Sequence, residues 1–253
     1  MTATRTGRVL AALVILCGLV GCSEPPESGF DEIEVNGAGS LGISLPGVAV
    51  TGVVVYFHGM DQKPDVITGN PNHKALFDPL LHSGFAVVAA DAGGSAFGNP
   101  ESLQDYRELI AAARSRYGVE STLFVAESMG ALAALAMLTE DTARQVKGMV
   151  GITPLMGLPP DIRSVNYVLS AWSGDVPSSA DPMSWRPQLF AGRAMLLYQS
   201  ADDAVIPFNA SAQAFATRFG SVAKIEVVPC QGGHVAPDCY SAAGVEKWLD
   251  GLG

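Results

Sequence analysis

The sequence predicts an α/β fold with a mostly parallel, doubly wound sheet that is flanked by helices. Short apolar runs alternate with helical patterns along most of the chain, and this alternation is typical of parallel sheets. The run 53–57 (VVVYF) is apolar at every position, which indicates a strand that is buried on both faces. The length of 253 residues suits one such domain with a large core and is short for two.

The expected elements follow in chain order. Segment 39–45 is expected to add an antiparallel edge strand to the sheet. Continuous apolar runs predict buried strands at 53–57 and 85–90, and further short runs rich in Val, Ile, Leu and Phe predict strands at 123–126, 146–152, 194–198 and 224–228. Helical patterns lie at 72–82, 102–117, 129–139, 209–219 and 242–252. Because strands and helices alternate, the helices can cover both faces of the sheet.

One segment breaks this alternation. Residues 153–192 contain six prolines and are longer than a normal connection between secondary-structure elements. We interpret the segment as a small lid over the carboxyl-terminal edge of the sheet. Tyr167, Trp172 and Trp185 are candidate walls of a pocket, but aromatic side chains that only pack the insertion onto the domain would give the same pattern.

The stretch 123–132 (LFVAESMGAL) joins a predicted strand to an alanine-rich helix through a serine. Such a sharp strand-to-helix turn, a nucleophile elbow, lifts a serine hydroxyl out of the sheet. The crowded turn needs small residues two positions before and after the serine, and Ala126 and Gly130 meet that need. Ser128 is therefore the candidate nucleophile. Ser40 lies in a similar short pattern, but no buried strand precedes it and no helix follows it.

A serine hydroxyl needs a base that takes its proton and an acid that orients the base. His234 lies in a glycine-rich loop between the last predicted strand and the last helix, from which it could reach over the sheet edge. Asp202 and Asp203 both follow the predicted strand 194–198, and either could be the acid.

With nucleophile, acid and histidine in this order, the chain resembles the α/β-hydrolase superfamily over nearly all of its length after the N-terminal segment. The resemblance implies the α/β-hydrolase fold, with Ser128 and His234 in a catalytic triad. It favours Asp203 over Asp202 as the third member, because the acid of the superfamily precedes a turn similar to 205–207 (VIP).

The stretch 57–60 (FHGM) resembles the His-Gly loop of the same superfamily. The backbone N–H of that loop acts together with the N–H of the residue after the nucleophile. The resemblance therefore implies an oxyanion hole made by Met60 and Met129. Backbone donors suffice to stabilise the developing charge, so these two side chains need not be polar. His58 is expected to brace the loop rather than to take part in catalysis.

The N-terminus has the pattern of an exported bacterial lipoprotein. Arg5 and Arg8 precede an apolar run at 9–20, which is short for a membrane span. The stretch 19–22 (LVGC) resembles a lipobox, which implies cleavage of residues 1–21 and lipidation of Cys22. An ordinary secretory signal with an incidental cysteine is the alternative. Residues 22–32 are interpreted as a polar tether and 33–253 as the folded domain.

Cys230 and Cys239 remain after the first two cysteines are assigned to the N-terminal segment. In an exported protein a disulfide between them is the default expectation, and it would close the loop that carries His234. His234 is the only histidine between them, and no second ligand pair has metal-site spacing. We therefore expect neither a metal nor a cofactor.

The composition narrows the range of partners. The net charge of −10 leaves no evident basic patch for nucleic acid or anionic lipid headgroups. The sequence predicts an exported, lipid-anchored serine hydrolase that cleaves small-molecule or lipid esters, or thioesters, and is attached to the membrane or envelope through Cys22. A peptidase of the same fold and a non-catalytic binding protein of that fold are the alternatives.

Overall fold

Eight strands form one sheet in the computed structural model, which describes residues 30–31 and 39–252. The predicted signal peptide, Cys22 and most of the predicted tether lie outside the described residues. The strands are β1 Phe30–Asp31, β2 Ser40–Ile43, β3 Gly52–Phe57, β4 Phe85–Ala90, β5 Thr122–Glu127, β6 Val146–Ile152, β7 Ala194–Ser200 and β8 Lys224–Cys230.

The sheet order is β1-β2-β4-β3-β5-β6-β7-β8. Every neighbouring pair from β4 to β8 is parallel, whereas β2 is antiparallel to β4, as predicted for segment 39–45. The prediction that this segment is the edge strand is wrong, because β1 pairs antiparallel with the outer side of β2. Two residues of the predicted tether, Phe30 and Asp31, thus belong to the sheet; a pair of residues is too short to show a strand period in the sequence.

The helices cover both faces of this sheet. Those in the described part of the chain are α1 Val66–Gly69, α2 Pro71–His82, α3 Pro100–Tyr117, α4 Gly130–Glu140, α5 Pro160–Arg163, α6 Asn166–Ala171, α7 Ala212–Phe219 and α8 Ala242–Asp250. The five predicted helices occur as α2, α3, α4, α7 and α8. Across the described residues, no helix combines the length and the apolar character that a membrane crossing needs.

The apolar core lies in two layers, one on each face of the sheet. Leu109 and Leu135 on α3 and α4 are fully buried on one face, and Phe77 and Val245 on α2 and α8 are fully buried on the other. All residues of β3 and β5 are buried, which explains their continuous apolar runs. Burying a Leu or Phe side chain contributes about 1.5–3 kcal/mol, so these central strands give a firm base for the loops at their carboxyl ends. The predicted doubly wound α/β architecture is confirmed.

The insertion 153–192 lies between β6 and β7 and contains α5, α6 and short 3-10 turns. Trp172 donates a hydrogen bond from Nε1 to the carbonyl of Phe97 at 3.2 Å. Trp185 donates to a carbonyl within the insertion and packs against the main core. Of the three aromatic residues proposed as pocket walls, these two hold the insertion on the domain, and Tyr167 is 55% exposed.

Candidate active site

Ser128 lies at the sharp turn between β5 and α4. Its φ is +47°, a left-handed conformation that costs a non-glycine residue about 1–3 kcal/mol and persists only when its surroundings enforce it. Its N–H donates to the carbonyl of Ile152 at 3.0 Å, and its carbonyl accepts from the N–H of Leu155 at 2.9 Å. A Cβ at Gly130 would lie 2.2 Å from the carbonyl oxygen of Phe57. The turn therefore has the crowding that the sequence motif implies.

A continuous hydrogen-bonded chain joins Ser128 to His234 and Asp203. The distance from Ser128 Oγ to His234 Nε2 is 2.9 Å, and the distance from His234 Nδ1 to Asp203 Oδ2 is 2.7 Å. The other oxygen, Asp203 Oδ1, accepts from the N–H groups of Val205 and Ile206. A carboxylate fixed in this way accepts a hydrogen bond from the Nδ1–H of His234 and so leaves Nε2 as the acceptor for the serine hydroxyl.

The structure separates the two neighbouring aspartates clearly. The side chain of Asp203 is only 6% exposed and contacts His234, whereas Asp202 is exposed and its backbone N–H donates to Ser200 Oγ at 3.1 Å. The serine of the second short motif, Ser40, lies on β2, which is three strands away from β5 in the sheet. The structure thus brings together the three residues that the sequence analysis favours and leaves Asp202 and Ser40 apart from them.

The loop that carries His234 is held at several points. A disulfide joins Cys230, at the end of β8, to Cys239. Val235, directly after the histidine, has a φ of +49° and donates its N–H to Thr153 Oγ1 at 3.3 Å. The predicted disulfide is therefore present, and it brackets the loop as the spacing of the two cysteines suggests.

The N–H groups of Met60 and Met129 have no hydrogen-bond acceptor within the described part of the chain, and both residues line the cavity at Ser128. Free backbone donors beside a nucleophile are the arrangement that an oxyanion needs. His58 is buried, with Nδ1 2.7 Å from the carbonyl of Gly59 and Nε2 2.9 Å from the carbonyl of Asp91. These contacts fit the loop-bracing role that the sequence analysis gives it.

Ser128 and His234 open into a cavity of about 430 Å³. The insertion contributes Tyr167 to its wall, but neither of its two tryptophans lines it. A neighbouring cavity of about 470 Å³ touches Asp203 but contains neither the serine nor the histidine. The apolar residues that line the first cavity are Met60, Phe97, Met129, Leu155, Ile162, Val165, Val205, Ile206, Pro207 and Val235, together with the tyrosine.

Glu127, which precedes the nucleophile, has a functional environment that the sequence analysis does not anticipate. Its side chain is only 2% exposed and lies 2.9 Å from Nε2 of the fully buried His73. Burial opposes ionisation, but hydrogen bonds from His73, Tyr240 and Tyr56 outweigh it and hold the pKa of the carboxyl below its usual value. The sequence contains one signal for this environment, an acidic residue at the end of an otherwise apolar strand. Because a buried charge needs partners, such a residue predicts polar side chains packed around it.

No group of three or more potential ligands (His, Cys, Asp or Glu) is arranged to hold a metal ion in residues 30–31 and 39–252.

Solved structures with similar folds include TT1662 from Thermus thermophilus, with 17% identity, a TM-score of 0.65, and coverage of 88% of this chain and 98% of that one. Esterase 2 of Thermogutta terrifontis, phosphoramylated by tabun, is 16% identical, with a TM-score of 0.57 and coverage of 91% of this chain and 96% of that one. EstE7, a hormone-sensitive-lipase homologue from a metagenome library, is 14% identical with a TM-score of 0.67 and covers 88% and 86%. At these identities the likeness establishes the fold.

No curated protein matches the chain at the level of sequence. A family model described as Hydrolase_4: serine aminopeptidase, S33 matches residues 49–188, a region that contains the elbow but ends before the acid and the histidine. Because this match covers more than half of the chain, the protein belongs to the serine aminopeptidase S33 family and is a serine hydrolase of the α/β-hydrolase fold.

Proposed function

We propose that this protein is an exported hydrolase that cleaves carboxylic esters or thioesters through an acyl-enzyme on Ser128. The observation that carries the proposal is the hydrogen-bonded chain from Asp203 through His234 to Ser128, which ends in an apolar cavity. Serine, histidine and aspartate in this geometry form the general arrangement for acyl transfer.

In the first half of the reaction, Ser128 Oγ attacks the substrate carbonyl carbon while His234 Nε2 takes the hydroxyl proton. The electron pair of the carbonyl moves onto its oxygen, where the N–H groups of Met60 and Met129 stabilise the charge. When the carbonyl re-forms, the alcohol or thiol leaves with the proton from His234. Asp203 stabilises the imidazolium throughout and fixes its orientation.

In the second half, water replaces the serine as the nucleophile. His234 Nε2 takes a proton from the water as its oxygen attacks the acyl carbon, and the oxyanion forms again at Met60 and Met129. Collapse of this intermediate breaks the bond to Ser128 Oγ, which recovers its proton from His234. A carboxylic acid is released and the free enzyme is restored.

The cavity supports a substrate with an apolar group next to the reacting carbonyl. Its wall is mostly aliphatic and aromatic, and the insertion adds Ile162, Val165 and Tyr167. Each methylene that such a wall buries contributes about 0.8 kcal/mol, or roughly a fourfold gain in kcat/KM. We therefore expect a preference for acyl chains longer than acetyl, up to the length that fills the cavity.

An aminopeptidase is a second candidate, because the family description names that activity. A substrate with a free amine needs a negative group near the cavity mouth, and Asp161 of α5 is an exposed carboxylate that lines the cavity. The other residues of the insertion that line the cavity carry no charge, so this apolar wall favours an ester substrate over a substrate with a free amine.

A substrate panel tests these proposals. Purified full-length protein is assayed on p-nitrophenyl esters from acetyl to dodecanoyl and on amino-acid p-nitroanilides. We expect ester turnover that rises with chain length before it falls, and much slower anilide turnover. Ser128→Ala should remove the activity, whereas the matched serine change Ser40→Ala should retain it. Faster turnover of the anilides would favour the aminopeptidase.

Export and anchoring are part of the same proposal. They are supported by the sequence pattern of residues 1–22, with its two arginines, apolar run and lipobox-like end. A lipid anchor on Cys22 followed by a polar tether would hold the hydrolase at the cell membrane or envelope. In that position the enzyme would meet small-molecule or lipid esters outside the cytoplasm.

A further inference from the structure

A mostly buried polar cluster lies beside the nucleophile elbow, outside the triad, and two of its members, Gln62 and Glu127, also line the cavity at Ser128. We call it the Glu127 cluster; its members are Tyr56 on β3, Gln62 in the turn after β3, His73 on α2, Glu127 at the end of β5 and Tyr240 before α8. Burying so many polar side chains is costly unless the hydrogen bonds between them offset the loss of water.

The first link of the cluster runs to the turn that carries Met60. The N–H of Gly59 donates to Gln62 Oε1 at 3.0 Å, and the N–H of Gln62 donates back to the carbonyl of Gly59 at 3.3 Å. The side-chain amide of Gln62 also donates, from Nε2 to Glu127 Oε1. One side chain therefore closes the turn around Met60 and ties it to the residue before Ser128.

The turn also lies in close contact with Glu127 itself. A Cβ at Gly59 would lie only 2.9 Å from Glu127 Oε1. Met60 at the tip of the turn is 43% exposed, and Asp61 has a φ of +60°. The N–H of Asp61 donates to Ser95 Oγ at 3.0 Å, so polar contacts hold the turn both at its base and directly after Met60.

A second link reaches the loop that carries His234. Tyr240 Oη donates to Glu127 Oε2 at 2.5 Å, and Tyr240 directly follows Cys239 of the disulfide that closes this loop. His73 Nε2 and Tyr56 Oη contact the same carboxylate oxygen at 2.9 Å and 3.0 Å. A single buried carboxylate is thus the meeting point of the elbow, the Met60 turn and the histidine loop.

We propose that Gln62 and Glu127 are positioning residues that fix the N–H of Met60 relative to the N–H of Met129 and to Ser128. Oxyanion donors act only when they lie about 2.7–3.1 Å from the developing charge, and a displacement of about 1 Å can cost roughly a hundredfold in rate. Glu127 is held in place because it belongs to the buried strand β5. The side-chain amide of Gln62 bonds to both Glu127 and Gly59, so it restrains the turn relative to that strand.

This inference rests on the proposed acyl-enzyme mechanism, and it concerns the oxyanion step alone. Gln62→Met keeps the length of the side chain and removes its hydrogen bonds. Lys63→Met is the matched control in the same turn, because the side chain of Lys63 is 65% exposed and pairs with Asp91 on the solvent side. Both variants are compared with the wild type on the best p-nitrophenyl ester.

We expect Gln62→Met to lower kcat by about 10- to 100-fold with KM changed by less than about threefold. A trifluoromethyl ketone that carries the same acyl chain forms a tetrahedral oxyanion on serine, so its affinity should fall by the same factor as kcat/KM. Lys63→Met should stay within about twofold of the wild type in both measurements. Thermal unfolding of each variant identifies any loss that comes from misfolding.

Glu127→Gln provides a second variant on the other side of the same contact and should show the same paired loss of kcat and ketone affinity. The inference is overturned if Gln62→Met keeps normal kcat and ketone affinity, or if Lys63→Met loses as much. It is also overturned if only KM changes. Loss of the parent mechanism would be seen separately, as hydrolysis that survives Ser128→Ala.

Discussion

At the scale of single residues, the site depends on which of two adjacent carboxylates reaches the histidine. Asp203 places one oxygen on His234 and the other on two backbone N–H groups, whereas Asp202 is exposed. We expect Asp203→Asn to lower kcat by about 10⁴-fold, because an amide favours the wrong tautomer of the histidine and cannot stabilise its imidazolium.

The neighbouring change Asp202→Asn is the control and should leave kcat within about twofold. Steady-state kinetics on one ester measure both variants. Equal and small losses would mean that another carboxylate serves as the acid. Equal and large losses would mean that both substitutions disturb the loop after β7 as a whole.

The sequence identifies these residues for a physical reason. Ser128, Asp203 and His234 each follow a strand, and the carboxyl ends of parallel strands meet at one edge of a sheet. The same reasoning does not find the Glu127 cluster, because its members lie on two strands, one helix and two connecting segments that only the tertiary fold brings together. A tyrosine, a glutamine or a histidine in isolation carries no pattern that predicts such contacts.

At the scale of elements, the histidine loop is held by a covalent bond as well as by packing of Val235 and Ala236 against the core. It relies on the disulfide between Cys230 and Cys239 and on contacts such as that of Val235 with Thr153. Closing this short loop covalently contributes about 2–3 kcal/mol in the chain-entropy model. Cys230→Ala combined with Cys239→Ala should lower the free energy of unfolding by about that amount and also lower kcat.

Urea denaturation and ester kinetics on the same samples measure the two effects. Ser40→Ala is a suitable control for both measurements, because Ser40 lies on β2, far from this loop in the sheet order. A double variant with unchanged kcat but lower stability would restrict the disulfide to the fold. Unchanged stability would contradict the loop-closure argument.

The remaining elements show where periodicity succeeds and where it fails. The long buried strands and the five main helices follow from their apolar patterns. A strand buried on both faces is apolar at every position, and a helix buried on one face has an apolar residue at every turn. β1 has two residues and leaves no such pattern. The orientation of Trp172 and Trp185 was open because an aromatic side chain has the same apolar character in a pocket wall as in a packing contact.

At the scale of the whole molecule, we propose that a lipid on Cys22 anchors the hydrolase domain. Cys22→Ala should release the protein from membranes or block its processing. A lipoprotein-type cysteine carries several acyl chains, and each buried methylene contributes about 0.8 kcal/mol of membrane affinity. Detergent phase partitioning of the wild type and the variant measures this directly. Equal partitioning of both into the aqueous phase would contradict lipidation.

The central claim is that Ser128 is the acyl-accepting nucleophile. The most direct test is to treat the full-length protein with a fluorophosphonate probe and to map the adduct by peptide mass spectrometry. The account predicts a single adduct on Ser128, blocked by prior incubation with an ester-like inhibitor, absent in Ser128→Ala and unchanged in Ser40→Ala. An adduct on another serine, or ester hydrolysis by the wild type without any adduct on Ser128, would contradict it.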